Sequence, residues 1–182
     1  MEAMTRAAQQ DLRGAVASAA AGDELAFGQI VAAHHEEMRR VCAFITRDEA
    51  VAEDAVQAAW SVAWRKLGSL REPDRLKPWL MRVAINEAKH LVRRGRRRDE
   101  IEVRADASAE PGGVDPATGI DGIDLRTAME RLGPDDRALL ALRYGAGYDA
   151  TELATVLGIS PSGTRTRLER LVKRLRQELD HG

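Results

Sequence analysis

Apolar residues recur at helical intervals through most of the chain. Leu25, Phe27, Ile30 and Val31 open one amphipathic stretch, which Met38, Val41, Cys42 and Ile45 continue. Beyond Asp48, a candidate cap, Val56, Trp60, Ala63 and Leu67 recur at i, i+4, i+7 and i+11, so they share one helix face. Gly68 ends that helix, and the polar stretch up to Pro78 holds two prolines that forbid a continuous one. A third helix restarts at Pro78, with Leu80, Val83, Ala84 and Leu91 inward and Arg82, Asn86, Lys89 and Arg93 on the other face. Ahead of these, residues 1–22 are Ala-rich and predict a frayed or loosely docked leading helix.

The periodicity lapses once, from Ala105 to Gly122 (ADASAEPGGVDPATGIDG), where two prolines, four glycines and several acids replace regular apolar spacing. That composition predicts a flexible, mildly acidic linker. It divides the chain into an N-terminal extension (1–22), a helical unit (23–104), the linker (105–122) and a C-terminal helical unit (123–182). In the last unit Leu125, Met129 and Leu132 precede a turn at Gly133-Pro134, and Ala138, Leu139 and Leu142 form the next apolar face. Gly145 and Gly147 break the chain, and Asp149 with Glu152 makes a capping box for a short helix to Leu157. Gly158 suits the left-handed position that ends such a helix, and Ser160-Pro161 supplies an N-cap and a first-turn proline for the next. The final helix packs through Leu168, Leu171, Val172, Leu175 and Leu179. Two helices joined by a tight glycine turn, the second rich in arginine, make a helix-turn-helix.

Composition narrows the class. Of 182 residues 44% are hydrophobic and only 4% aromatic, which with abundant Ala, Leu, Arg and Glu favours an all-α protein of two small helical domains. The lone Cys42 forms no internal disulfide. No apolar run reaches the roughly 20 residues that span a bilayer, and no signal pattern opens the chain, so the expected location is the cytoplasm. Net charge is only −1, yet Arg93, Arg94, Arg96, Arg97 and Arg98 cluster, as do Arg165, Arg167, Arg170, Lys173, Arg174 and Arg176. Two separated basic sets fit two contacts with a polyanion; solvated helix faces are the bland alternative.

A major groove admits one helix, whose N-terminal residues meet the base edges. Here those are Ser160, Ser162, Thr164, Arg165 and Arg167, with Arg170 a turn further on. The run from Arg93 is either a phosphate clamp or cations suited to a helix C-terminus. The acids within AEDAVQ (Ala52 to Gln57) read on their own as first-turn charges. Trp60 and Trp79 read as core; Trp64 is either core or a stacking platform for unpaired bases. A metal site at His34, His35, Glu36 and Glu37 is disfavoured, because adjacent residues point to different helix faces. With no phosphate loop, nucleophile elbow or cysteine cluster, neither an enzyme nor a cofactor is expected.

Four stretches in order then resemble the sigma-seventy family of transcription factors, specifically its small extracytoplasmic-function group: DEAVAEDAVQAAWSVAWRKL (Asp48 to Leu67), KPWLMRVAINEAKHLVRRGRRR (Lys77 to Arg98), AMERLGPDDRALLALRY (Ala128 to Tyr144) and GYDATELATVLGIS (Gly147 to Ser160). The resemblance implies a sigma region 2-like bundle and a region 4-like helix-turn-helix that bind core RNA polymerase, through its beta and beta-prime subunits, and promoter DNA. It implies polymerase docking by Glu53, Asp54 and Gln57, and capture of a flipped base by the loop from Gly68 to Lys77. Arg75, Lys77, Arg82, Asn86, Lys89 and Arg93 would line the downstream (−10) box; Ser160, Ser162, Thr164, Arg165, Arg167 and Arg170 would read the upstream (−35) box. An anti-sigma factor is a further candidate partner, and a stand-alone helix-turn-helix regulator is the alternative reading. Two features depart from the family pattern: His90 stands where Asp is usual, and Gly163-Thr164 stand where a phosphate-touching Thr and a buried Val are usual.

Overall fold

The computed structural model describes residues 13–105 and 127–180. Most of the expected linker (106–122) and the start of the N-terminal extension (1–12) lie outside the described residues. Among the described residues, eight α-helices follow one another: α1 (13–20), α2 (Glu24–Thr46), α3 (Glu49–Lys66), α4 (Leu76–Ala105), α5 (127–131), α6 (Pro134–Leu140), α7 (Ala150–Leu157) and α8 (Pro161–Asp180). Short 3-10 turns at Leu67–Ser69 and Pro73–Arg75 join α3 to α4, and α6 runs on into a π-turn at Ala141–Gly145. Among the described residues there is no strand, and no helix is long and apolar enough to cross a membrane.

Helix boundaries follow local chemistry. Asp23 caps α2 by accepting from Leu25 N and Ala26 N at 2.9 and 3.1 Å, and Asp48 caps α3 by accepting from Val51 N at 2.9 Å. The third helix starts at Leu76, two residues before the expected Pro78. A proline is tolerated in a first turn because its missing N–H has no intrahelical partner there anyway.

Helices α2, α3 and α4 pack mutually, burying Ile30, Met38, Ile45, Ala52, Val56 and Ala63. The inward face of α4 consists of Leu80, Met81, Ala84, Ile85 and Ala88, whereas Val83 and Leu91 are only half-buried. Leu25, expected on the apolar face of α2, is 84% exposed. Helical side chains lean toward the N-terminus, so a residue beside the cap hangs past the end of the core. Cys42 is fully buried, donates its thiol to Ala84 O at 3.6 Å, and burial pushes its pKa up to about 12, which keeps it a neutral thiol.

The leading helix departs from the expectation of loose docking. Ala15, Val16 and Ala19 belong to the core, and the Arg13 guanidinium grips Asp74 of the second 3-10 turn at 2.7 and 2.6 Å. Three small apolar residues at i, i+1 and i+4 suffice to seat one helix face where composition alone suggested fraying.

These anchors differ in weight. Val16→Asp places a carboxylate at a position only 3% exposed and should lower stability by roughly 3 kcal/mol, read as a shifted urea midpoint. Arg13→Ala removes an exposed ion pair and should cost under about 1 kcal/mol; a larger loss from Arg13 than from Val16 contradicts seating by burial.

Candidate nucleic-acid and polymerase interfaces

The helix-turn-helix is assembled from local hydrogen bonds. Asp149 accepts from Thr151 N and Glu152 N at 2.7 and 2.9 Å, and Glu152 reaches back to Asp149 N at 2.8 Å, closing the capping box of α7. Gly158 ends α7 at φ 71°, a conformation that suits a residue without Cβ. Ser160 then caps α8, its Oγ accepting from Gly163 N at 3.0 Å. A Cβ on residue 163 would lie 3.0 Å from that Oγ, so glycine leaves room for the cap.

Thr164 requires a correction. It was expected at a base edge, yet it is fully buried and its hydroxyl donates to Ser160 O at 3.0 Å. The departure from the usual buried Val is thereby absorbed: the methyl packs, the hydroxyl bonds one turn back, and nothing of the side chain is left for DNA. Ser162, Arg165 and Arg170 are exposed, and Arg165 Nε lies 3.4 Å from Pro161 O. Arg167 is half-buried and, with Arg174, is held on Asp136 of α6 at 3.0 and 2.6 Å. Burial pushes the Asp136 carboxyl up, but hydrogen bonds from Arg174 and Arg167 outweigh it and hold the group below the usual range. Asp136, Ser162, Arg167 and Arg170 share one shallow depression.

On α3, Asp54 and Gln57 are exposed and Glu53 is half-buried. Gln57 donates to Glu53 at 3.4 Å, and His35 Nε2 stands 3.8 Å from the other Glu53 oxygen. His35 Nδ1 in turn accepts from Trp60 Nε1 at 3.3 Å. An imidazole thus links a core tryptophan to the acidic edge, a role that sequence spacing alone did not reveal. Trp60 is buried and meets Phe27 edge-on at 5.8 Å; Trp64 is 38% exposed and meets the same ring at 4.9 Å; Trp79 is half-buried.

The basic face of α4 is only partly open. Arg75 pairs with Glu72 at 2.7 Å, Asn86 and His90 are exposed, and Arg93 Nε donates to Lys89 O at 3.1 Å. The remaining three cations face the second unit. Lys77 pairs with Glu37 at 3.0 Å and lies 5.2 Å from the Tyr148 ring. Arg82 donates to Val156 O at 2.9 Å and to Thr155 O. Lys89 meets Asp135 at 2.5 Å and holds its carboxyl below the usual range by hydrogen bonding. Two buried polar residues here were not singled out from sequence. Arg137 donates to Leu132 O at 3.1 Å and its pKa is lowered by burial; Tyr148 is 4% exposed, and burial pushes its phenol up. Arg137 is hidden among the apolar positions of α6, and Tyr148 lies in a glycine break where no core residue is expected.

Comparison with known proteins agrees with this geometry. Residues 30–98 match the family model "Sigma-70 region 2" and residues 123–175 match "Sigma-70, region 4". The chain is 33% identical to the RNA polymerase sigma factor CarQ of Myxococcus xanthus, over 87% of this chain and 91% of that one. It is 32% identical to the probable sigma factor RfaY of Xanthomonas campestris, over 88% of this chain but only 42% of that longer protein. A solved structure of the sigma factor RpoE with the anti-sigma factor NepR from Bartonella quintana has a TM-score of 0.61 at 25% identity, covering 85% of this chain and 96% of that one. The region 2 match leaves no support for a stand-alone regulator. A helix-turn-helix behind a second helical unit with an acidic edge, matched in order by both family regions, makes this chain an RNA polymerase sigma factor of the sigma-seventy family, extracytoplasmic-function group, which directs transcription initiation at promoters.

Proposed function

We propose that the chain performs this work through three separate surfaces. Glu53, Asp54 and Gln57 dock on core polymerase, the acids meeting a basic partner surface while the Trp60–His35 link fixes Glu53. The stripe of Lys77, Arg82, Asn86, Lys89 and Arg93 on α4, with Arg75 in the preceding turn, lines the downstream box, where cations neutralise phosphates. The start of α8 reads the upstream box: Ser162, Arg165 and Arg170 face the groove, Ser160 serves as cap, and Arg167 joins once phosphate replaces Asp136.

The carrying observation is the α8 start, where cap, glycine and buried Thr164 leave Ser162, Arg165 and Arg170 outward on one helix end. The segment 105–122 tethers two weak modules, so binding one box raises the local concentration of the other. Sigma factors are regulatory rather than catalytic, and this reading gives the chain no reaction of its own. It works beside the polymerase in the cytoplasm, and an anti-sigma factor restrains it, as NepR is bound to RpoE in the similar structure.

Run-off transcription with core polymerase on genomic fragments tests the assignment; start-specific transcripts are the expected result, and DNA binding without any defined start contradicts it. Asp54→Ala should weaken core-polymerase binding and leave upstream-box binding intact, and equal loss of both contradicts separate surfaces. Arg165→Ala should change preference at one upstream base by about 1–3 kcal/mol in a competition assay. A uniform loss across sequences instead assigns Arg165 to a phosphate.

A further inference from the structure

We infer that α1 braces the segment leading into α4, with Arg13 and Asp74 acting as positioning residues for Arg75. This rests on the downstream-box role proposed above for Arg75 and adds what holds that side chain in place. Residues 68–75 run between α3 and α4, and all except half-buried Leu70 are exposed. Most of their polar contacts are short-range. Ser69 Oγ donates to Lys66 O at 2.6 Å, Leu70 N donates to Leu67 O at 2.9 Å, and Arg75 pairs with Glu72 at 2.7 Å. Such bonds close two 3-10 turns of three residues each, but they do not set the direction in which the turns point.

Helix α1 approaches this segment at both ends. Ala20 O stands 3.7 Å from where a Cβ on residue 68 would lie, and the Arg13 guanidinium meets Asp74. The helix rise between Arg13 and Ala20 is about 10 Å, and α1 is itself fixed because Ala15, Val16 and Ala19 are buried. Arg13 donates through Nε at 2.7 Å to one Asp74 oxygen and through Nη2 at 2.6 Å to the other. A bidentate fork sets direction as well as distance. Among the described residues it is the one side-chain hydrogen bond tying residues 68–75 to a helix distant in sequence. Asp74 precedes Arg75, so fixing its carboxylate orients the next backbone step. Arg75 then lines a cavity of about 210 Å³ with Leu70, Pro78, Trp79, Arg82 and Thr155. The same fork neutralises an acid that would otherwise stand bare beside a phosphate-binding arginine. Both groups are more than half exposed, so the brace biases the turn a few-fold and does not decide whether the protein folds.

The test is a double-mutant cycle in the holoenzyme reconstituted with core polymerase. It compares the full chain with Arg13→Ala, Asp74→Ala and Arg13→Ala/Asp74→Ala, with Arg75→Ala alongside. Run-off transcription from a mapped promoter competes against templates changed at single downstream-box or upstream-box bases, and urea unfolding checks that each variant is folded. Each single variant should lose about two- to fivefold in preference at a downstream base, and the double variant no more than either. Upstream preference should match the parent. Unchanged downstream preference, losses that add in the double variant, or an equal fall at both boxes overturns the inference. So does an Asp74→Ala variant that binds every downstream sequence more tightly, since Asp74 is then only a repelling charge. The two readings fail separately: Arg75→Ala without effect on downstream preference sinks the role of Arg75, and the brace with it. An effect of Arg75→Ala with none from Arg13→Ala or Asp74→Ala sinks only the brace.

Discussion

Helices of seven and eight residues do not persist alone in water, because nucleation consumes more than so few hydrogen bonds return. Helices α6 and α7 have those lengths, so everything in the second unit depends on what they pack against. Their apolar faces bury Leu139, Leu140, Leu153 and Val156 against α8 and the first unit. Their ends are closed by polar groups, the capping box at the start of α7 and Arg82 at its finish. One contact therefore stabilises a short helix and occupies a cation at the same time. Breaking this contact would turn the Thr155 and Val156 carbonyls to water and leave Arg82 in need of a new acceptor.

The start of α8 shows how a departure from a family pattern is absorbed without loss of architecture. Moving the small residue to position 163 clears space for the Ser160 cap, and moving the hydroxyl to Thr164 lets it bond back to the residue that caps the helix. Both changes act within one turn, and the helix start presents fewer hydroxyls outward. In the proposed reading, Ser162 and Arg165 carry correspondingly more of the contact with DNA.

Much of this was legible in sequence for a physical reason: helix caps and apolar periodicity are local. Asp48, Asp149, Glu152, Gly158 and Ser160 act within four residues of where they stand, and each does what its position suggested. What escaped notice depends on neighbours distant in sequence. Thr164 looked like a base contact because its burial is decided by packing, and His35 looked idle because Trp60 and Glu53 lie on another helix. Asp135 and Asp136 gave no signal of their pairing because their cations lie 46 residues upstream and 31 or 38 downstream. Docking of α1 was missed because three small residues give a faint periodic signal.

The pairing of basic side chains with internal acceptors bears on how such a molecule travels through a cell. A chromosome offers millions of nonspecific sites, and any protein with bare cation stripes is sequestered on them by counterion release alone. Here the overall charge is −1, and Arg82, Lys89, Arg167 and Arg174 are each satisfied by the chain itself. Those four side chains are withheld from bulk DNA, whereas the arginines at the end of α4 and at the start of α8 stay open. Nonspecific attraction is left to the open arginines, and the four satisfied side chains add little to retention on bulk DNA.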